Sequence, residues 1–465
     1  MLEPFWRAQQ NIMKKSFEVS PRICIIGAGP SGITTAKNLL QQGLRNFVVF
    51  EKNYRLGGNW TFDENNDHSS VYETTHIISS KRLSEYEDFP MPADYPDYPS
   101  HEQILDYFNS YADYFGIQKH IQFNTCVEKI NPLDDEKWQL IYRDEKGEHE
   151  AIFDYIFVAN GHHWDPFVPN YYGEFSGTIL HAHQYKKAAP FKDKKVLVVG
   201  GGNSACDIAV EIARISPKTC ISMRRGQHIF PKFIFGKPTD VMFSIIKGLP
   251  RWLKQILVSF VIRILQGRYA KYHLKKPDCK PLEIHPTINS ELLYFIRHGK
   301  ILPCRGIDRF EGDTVHFVDG SQGVFDVVIF ATGYKISFPF FAKELIDFSN
   351  LTSIPLYRKM MHPDFSSLYF IGLFQPQGCI WPLADYQAKI AAQIIAGNLK
   401  RPAKLASKIS REMKKTRSRF KETIRHALEV DYQGFRSQLI KELKKGDKEY
   451  GAEQSTSSWE TIDSV

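Results

Sequence analysis

Two glycine-rich turns hold the residues of this chain whose types and spacing bear most directly on chemistry. The first, Gly27-Ala-Gly-Pro-Ser-Gly32, follows the apolar run Ile23-Cys-Ile-Ile26 and precedes helix-forming sequence from Thr35. In such a turn the first glycine permits a tight reversal and the second lets backbone approach a pyrophosphate. The third lets strand and helix pack closely, with the phosphate at the positive end of the helix. Gly27, Gly29, Pro30, Ser31 and Gly32 are therefore candidate dinucleotide contacts, and Glu51, after the run Phe47-Val-Val-Phe50, is placed to accept ribose hydroxyls. The second turn, Gly200-Gly-Gly-Asn-Ser-Ala205, nominates Gly200, Gly202, Asn203 and Ser204 in the same way. Its next apolar run ends in Arg224-Arg225, where a guanidinium fork suits a 2′-phosphate that a carboxylate would repel. An acid at one site and bases at the other predict a flavin enzyme in which NADPH, rather than NADH, reduces bound FAD. The continuation Glu51-Lys-Asn-Tyr-Arg-Leu-Gly-Gly-Asn-Trp60 supports this, because a Gly-Gly turn admits a bulky ligand close to backbone.

The elements that position these turns repeat. Unbroken apolar runs read as strands buried on both faces, as in a parallel sheet covered by helices. Gly27 to Glu51 and Gly200 to Arg224 both span 24 residues, and Asp154-Tyr-Ile-Phe-Val-Ala-Asn-Gly161 has a near copy in Asp326-Val-Val-Ile-Phe-Ala-Thr-Gly333. A period of about 170 residues is too long for a solenoid and suits two dinucleotide-binding folds. The expected fold class is α/β with two Rossmann-like domains, the NADPH domain inserted in a discontinuous FAD domain. The expected divisions are 15–188 and 326–400 for FAD, 192–325 for NADPH with an insertion at 226–286, and a basic helical tail at 401–465.

At this point the residues resemble the flavin-containing monooxygenases, among the class B flavoprotein monooxygenases. The resemblance is carried by Gly27–Gly32, Glu51-Lys52, Leu56-Gly-Gly58-Asn59-Trp60, Asp88-Phe-Pro-Met-Pro92, Phe330-Ala-Thr-Gly-Tyr334 and Gly372-Leu-Phe-Gln-Pro376. A further pattern, FxGxxxHxxxY, is filled by Phe175, Gly177, His181 and Tyr185. Related Baeyer–Villiger enzymes carry Trp at the last place, so Tyr185 points to heteroatom oxygenation. The resemblance implies an NADPH- and O2-dependent enzyme, like a dimethylaniline monooxygenase, that oxygenates soft nitrogen or sulfur atoms through a C4a-hydroperoxyflavin. It adds Lys52, Gly58, Asn59, Trp60 and the backbone at Val127 to the cofactor contacts, and sets Gln375 at the flavin edge. His181 reads as an interdomain hydrogen-bonding residue. One position departs from the family pattern: Ile78 stands where relatives carry an Asn that holds NADP+ and the peroxide. His76, two residues earlier on the same face of an extended strand, is a candidate substitute; the other reading is that it only packs. Without a substitute, the expected shift is toward peroxide release as an uncoupled NADPH oxidase, or toward ketones.

Composition narrows the alternatives. The chain has 465 residues, 43% apolar, and a net charge of +8. Residues 401–448 carry fifteen Lys/Arg against six Asp/Glu, so the remainder is close to neutral. No nucleic-acid motif or aromatic-interleaved basic stripe accompanies the tail, and a nucleic-acid partner is not expected. Seven cysteines without a CxxC pair give no zinc-ligand set and disfavour a disulfide reductase. Neither a secretory signal nor an apolar span is evident, so a cytoplasmic location is expected. Arg251–Arg268 sets Trp252, Leu253, Ile256, Leu257, Phe260, Val261, Ile264 and Leu265 on one helical stripe, expected to pack on the core or, in the rival reading, to touch a membrane surface with the tail. The family likeness also raises self-association. A non-catalytic nucleotide-binding adaptor is the reading of another class, opposed by the intact glycines of both turns.

Overall fold

The computed structural model describes residues 20–65, 68–246 and 248–457, with backbone alone at 425 and 446–457. The first residues of the expected FAD domain, 15–19, and the end of the tail, 458–465, lie outside the described residues. Ile23–Ile26, buried throughout, pairs in parallel with Phe47–Phe50 on one side and Tyr155–Val158 on the other. Leu368–Phe370 and Ile121–Gln122 complete a five-stranded parallel sheet. The second copy repeats the arrangement, except that its outer strand precedes the central strand in the chain instead of closing the unit. Lys195–Val199 lies between Lys218–Ser222 and Val327–Phe330, flanked by Ile301–Cys304 and Thr178–His181. Each unit also carries a three-stranded antiparallel meander before its returning strand, spanning Cys126 to Phe153 in the first and Ile307 to Val324 in the second. The repeat seen in the sequence is therefore one of topology.

Sheet pairing moves the expected domain junctions. Thr178–His181 and Val327–Phe330 belong to the second sheet, so junctions at 188 and 325 fall within that unit, and the chain rejoins the first sheet at Leu368–Phe370. The reason is the one that made the two acidic-strand-glycine segments copies. A fully apolar strand needs cover on both faces, and the slot beside each unit's central strand supplies it.

Between the units, polar anchors rather than the widest apolar stripe set the rotation of the inserted helix Arg251–Gln266. The Arg251 guanidinium donates to Leu282 O at 2.8 Å and the Gln255 amide to Pro281 O at 3.2 Å. The inward face is thus Gln255, Val258 and Ile262, packed around Phe230. Trp252, Phe260 and Ile264 stand 62%, 61% and 63% exposed while Leu253, Leu257 and Val261 are half-buried, so only one edge of the expected stripe packs inward.

The tail is likewise built into the body rather than attached to it. Glu429–Val430 pairs in parallel with Gln375–Pro376. The helix Leu405–Arg417 and the helix that starts at Tyr432 bury Leu405, Ile409, Phe435 and Leu439 in the same core as Trp381–Ile395. Phe435 meets Phe374 with ring centroids 5.0 Å apart. Leu439→Ala should therefore destabilise the protein by about 2–5 kcal/mol in urea unfolding followed by circular dichroism. A loss below about 0.5 kcal/mol, ordinary for a surface position, would show that the helix is only peripheral.

Candidate functional site

The first glycine turn is shaped by what its glycines lack. Gly27 has φ +101°, and a Cβ on Gly32 would stand 1.8 Å from the Gly27 carbonyl oxygen, so the helix Pro30–Gln41 starts hard against the strand. Gly29 faces Gly58 so closely that a Cβ on Gly58 would lie 3.0 Å from Gly29 Cα. This bare cradle at a helix N-terminus, bordered by Ser31, fits a pyrophosphate. Glu51 is 6% exposed and accepts the N–H groups of Ala28 at 2.6 Å and Asn53 at 2.9 Å. Burial pushes its carboxyl up, and the two backbone donors and Lys52 oppose that shift. Asn59 Oδ1 accepts from the Ser70 N–H at 2.8 Å and hydroxyl at 2.7 Å, while Trp60 meets Trp381 edge to face. Lys52 lies over the Trp164 ring, and Val127 is buried in the same wall.

The second turn repeats the device with a variation. Gly200 has φ +145°, and a Cβ there would stand 2.3 Å from Ala331 O. Gly202 caps the helix Asn203–Ile212. Asn203 Oδ1 is already engaged, accepting the Ile288 N–H at 2.7 Å, so its amide N–H groups are what remain for a ligand. Ser204, Arg224 and Arg225 are exposed on the cleft, and among the described residues neither arginine forms a salt bridge. The site thus offers two such guanidinium groups where a 2′-phosphate would lie. Tyr72, from the first unit, donates to Asp207 Oδ2 at 3.2 Å, tying the two units across this turn.

Both turns open on one cleft of about 1130 Å³. His76 and Ile78 line it on either side of buried Ile77. His76 Nδ1 is 2.9 Å from Thr74 O, so this nitrogen donates and Nε2 is left to face the cleft's contents. Gln375 hangs from the tail strand through its N–H to Leu428 O at 2.8 Å, and its Oε1 is 3.3 Å from His162 Nε2. Gly372, with φ +80°, lets this segment close on Ser31: a Cβ there would be 2.2 Å from the Ser31 hydroxyl.

Four residues of this wall escaped sequence reasoning: His162, His163, His285 and Glu429. His162 and His163 lie in the turn a few residues beyond the end of Tyr155–Val158, and the carboxyl ends of parallel strands are where such folds bind ligands, so a signal existed. Burial lowers His162 to about 4 and His163 also falls well below the ordinary imidazole range. Both are neutral near pH 7. Glu429 is 2% exposed, with Oε1 3.5 Å from His285 Nδ1. It arrives by strand pairing from the tail, which no local pattern announces. His181, with its Nδ1 accepting the His183 N–H at 3.1 Å, is likewise lowered to about 4 by burial. Its ring lies edge-on to Tyr334, at the junction of the units.

Residues 20–446 match the family described as flavin-binding monooxygenase-like. The chain belongs to that family. It is 34% identical to flavin-containing monooxygenase 5 of Rattus norvegicus over 439 residues, covering 88% of this chain and 80% of the relative. It is 30% identical to the N-oxide-forming dimethylaniline monooxygenase 2 of Oryctolagus cuniculus over 448 residues, 91% and 83% of the two chains. Among solved structures, S-allyl-L-cysteine S-oxygenase from Allium sativum superposes with a TM-score of 0.69 at 21% identity, covering 91% of this chain and 88% of that one. Cyclohexanone monooxygenase from Rhodococcus sp. Phi1 gives 0.68 at 14%, covering 91% and 97%. At such identities the two structures speak for the fold. The chain is thus an FAD- and NADPH-dependent flavin monooxygenase with two Rossmann-type domains, acting with O2 on small molecules. Among the described residues no helix is long and apolar enough to cross a membrane.

The buried neutral histidines give the monooxygenase a pH signature. A histidine whose pKa is about 4 when folded and about 6.5 when unfolded takes up a proton on unfolding between those values. Stability should therefore fall as pH drops from 6.5 toward 4, by about 2–3 kcal/mol for each of His162 and His181. His181→Asn keeps an acceptor for the His183 N–H and should flatten the fall of the thermal midpoint over this range. An unchanged slope would mean that His181 is not held neutral.

Proposed function

We propose that the chain uses NADPH and O2 to oxygenate soft nucleophilic nitrogen or sulfur atoms of small molecules. The observation that carries this reading is the single cleft into which both glycine turns, Glu51, Arg224, Arg225 and Gln375 open. Bound flavin would supply hydride acceptance and oxygen activation. The side chains then have to bind, orient and keep water out. Gly29 and Gly58 would hold the FAD pyrophosphate, Glu51 the ribose, and Arg224 with Arg225 the 2′-phosphate of NADPH. The Gln375 amide is fixed by His162 on its oxygen and by the tail strand on its backbone, which leaves its N–H groups to donate into the cleft. His162, uncharged near pH 7, keeps that wall from drawing in counter-ions. A nucleophilic substrate atom needs no acid–base dyad from the protein, and the role of His76 and Gln375 in this reading is to hold groups in place by hydrogen bonds. The N-oxide-forming relative supports nitrogen as one target.

Ile78 favours a second reading. A side chain without donor or acceptor lines the cleft where the family resemblance expects an amide, which suits partial release of H2O2 as an NADPH oxidase, or a shift to ketones. NADPH consumption should be measured with product analysis over a tertiary amine, a thioether and a ketone. The expected result is N- or S-oxide with a fraction of peroxide, and Ile78→Asn should lower that fraction about twofold or more by restoring one hydrogen bond. Peroxide alone with every substrate intact, in the parent and in Ile78→Asn, would reject oxygenation.

The exposed stripe Trp252, Ile256, Phe260 and Ile264 supports a peripheral membrane contact. Phe260→Asp should abolish flotation with zwitterionic phosphatidylcholine vesicles; equal flotation of both proteins, or of neither, would remove this contact.

A further inference from the structure

A second cavity of about 440 Å³ lies away from the glycine turns, between the helix Leu405–Arg417 and the helix that starts at Tyr432, and it collects the basic charge of the tail. Eight Lys or Arg side chains line it against four carboxylates. The two helices face each other with cations at helical spacing, Lys408, Arg411 and Lys415 on one and Lys441 and Lys445 on the other. Two of the four acids, Glu412 and Glu442, are engaged by the groove's own cations. Glu412 pairs with Arg358 and accepts its N–H at 3.0 Å, and Glu442 accepts from the Arg358 guanidinium and the Lys445 ammonium, each at 2.8 Å. Among the described residues, Arg411, Lys415 and Lys441 form no salt bridge.

The floor of this groove is built at a conformational cost. Arg358 and Lys359 are consecutive non-glycine residues at φ +51° and +56°, a left-handed backbone that persists where surroundings enforce it. The Tyr357↔Met361 bridge holds the turn, and both cations are thereby set under the cavity. Lys359 is 7% exposed, and its ammonium has one hydrogen-bond acceptor among the described residues, Ala427 O at 3.1 Å. An ammonium has three N–H donors, so a buried one with a single acceptor leaves donors unmet beside a cavity large enough for a ligand. Unpaired cations on both walls and an under-satisfied ammonium beneath define a complement to a compact, multiply charged oxyanion.

We propose that this groove is a binding site for a phosphate-bearing ligand, separate from the two nucleotide turns, with Lys359 at its base and Arg411, Lys415 and Lys441 on its walls. Phosphate chemistry fits because three or more terminal oxygens can accept from divergent donors at once.

The test uses the full chain loaded with FAD and saturated with NADP+, so that the glycine turns and the Arg224–Arg225 pair are filled. Inorganic pyrophosphate is titrated calorimetrically, and flotation is measured with phosphatidylcholine vesicles with and without phosphatidic acid. The groove reading expects binding of pyrophosphate or a phosphatidic-acid-dependent gain in flotation, the first marking a soluble ligand and the second a lipid headgroup. The exposed double variant Arg411→Glu/Lys415→Glu should weaken that binding by about tenfold or more while NADPH oxidation stays unchanged. Lys359→Gln, which keeps a donor but no charge, should weaken it as well. Absence of binding by both probes, or binding that both variants leave intact, overturns the proposal.

Discussion

The contact on which the rest depends is the one between strand and helix at Gly32. A side chain there would sit 1.8 Å from the Gly27 carbonyl, so the helix Pro30–Gln41 can begin beside Ile23–Ile26 only because position 32 has none. That starting point aims the helix N-terminus and its unpaired N–H groups at the mouth of the sheet. In the second unit Ala205 takes the place of Gly32, and the helix Asn203–Ile212 starts at Gly202 while the bare Gly200 clears Ala331 O beside it. Two positive helix ends therefore open on one cleft, and Glu51, Gln375 and the arginines acquire their meaning from that convergence. Behind it, buried Lys37 ties the first helix to Asp88 and Asp385, each at 2.7 Å. The Asp88-Phe-Pro-Met-Pro92 segment thus has a structural role, because its carboxylate shares with Asp385 the compensation of a buried cation.

Burial also decides the electrostatics of the cleft. Imidazoles that would titrate near neutrality in water are held uncharged, since the folded protein offers little solvent to an imidazolium at His162, His163 or His181. The Arg224–Arg225 pair, by contrast, stays exposed on the cleft. Neutral imidazoles in this wall suit chemistry carried by a cofactor, where the protein positions and desolvates.

The tail shows how a charged segment can be structural. Its helices are polar on one side, yet Phe435 and Leu439 complete the core under Phe374, and its strand carries the backbone hydrogen bond that fixes Gln375. Glu429 lines both the oxygenation cleft and the basic groove, so one short strand forms the partition between them. The helix Arg251–Gln266 is joined to the same region, because Arg251 also donates to Arg419 O and lies over Phe420.

Local pattern was enough for the parts of this protein that are local. Unbroken apolar strands and glycine spacing were enough for the fold class and for both turns, since backbone sterics and helix polarity act over about 30 residues. The Asp154 and Asp326 copies were legible as well, although the copies alone do not mark the domain junctions: Val327–Phe330 closes the second sheet because its pairing slot lies beside Lys195–Val199. Other features rest on contacts far apart in sequence. Trp252, Phe260 and Ile264 of the apolar stripe in Arg251–Gln266 face outward because the carbonyls of Pro281 and Leu282 capture Gln255 and Arg251, and a hydrophobic pattern does not register such distant acceptors. Glu429 enters the cleft through pairing with Gln375, and Arg358 comes between Glu412 and Glu442, across 54 and 84 residues. Sequence determines which residues can bend a turn, cap a helix or bind a phosphate; only tertiary packing decided which charged and polar groups meet, because their partners are chosen by burial and not by spacing.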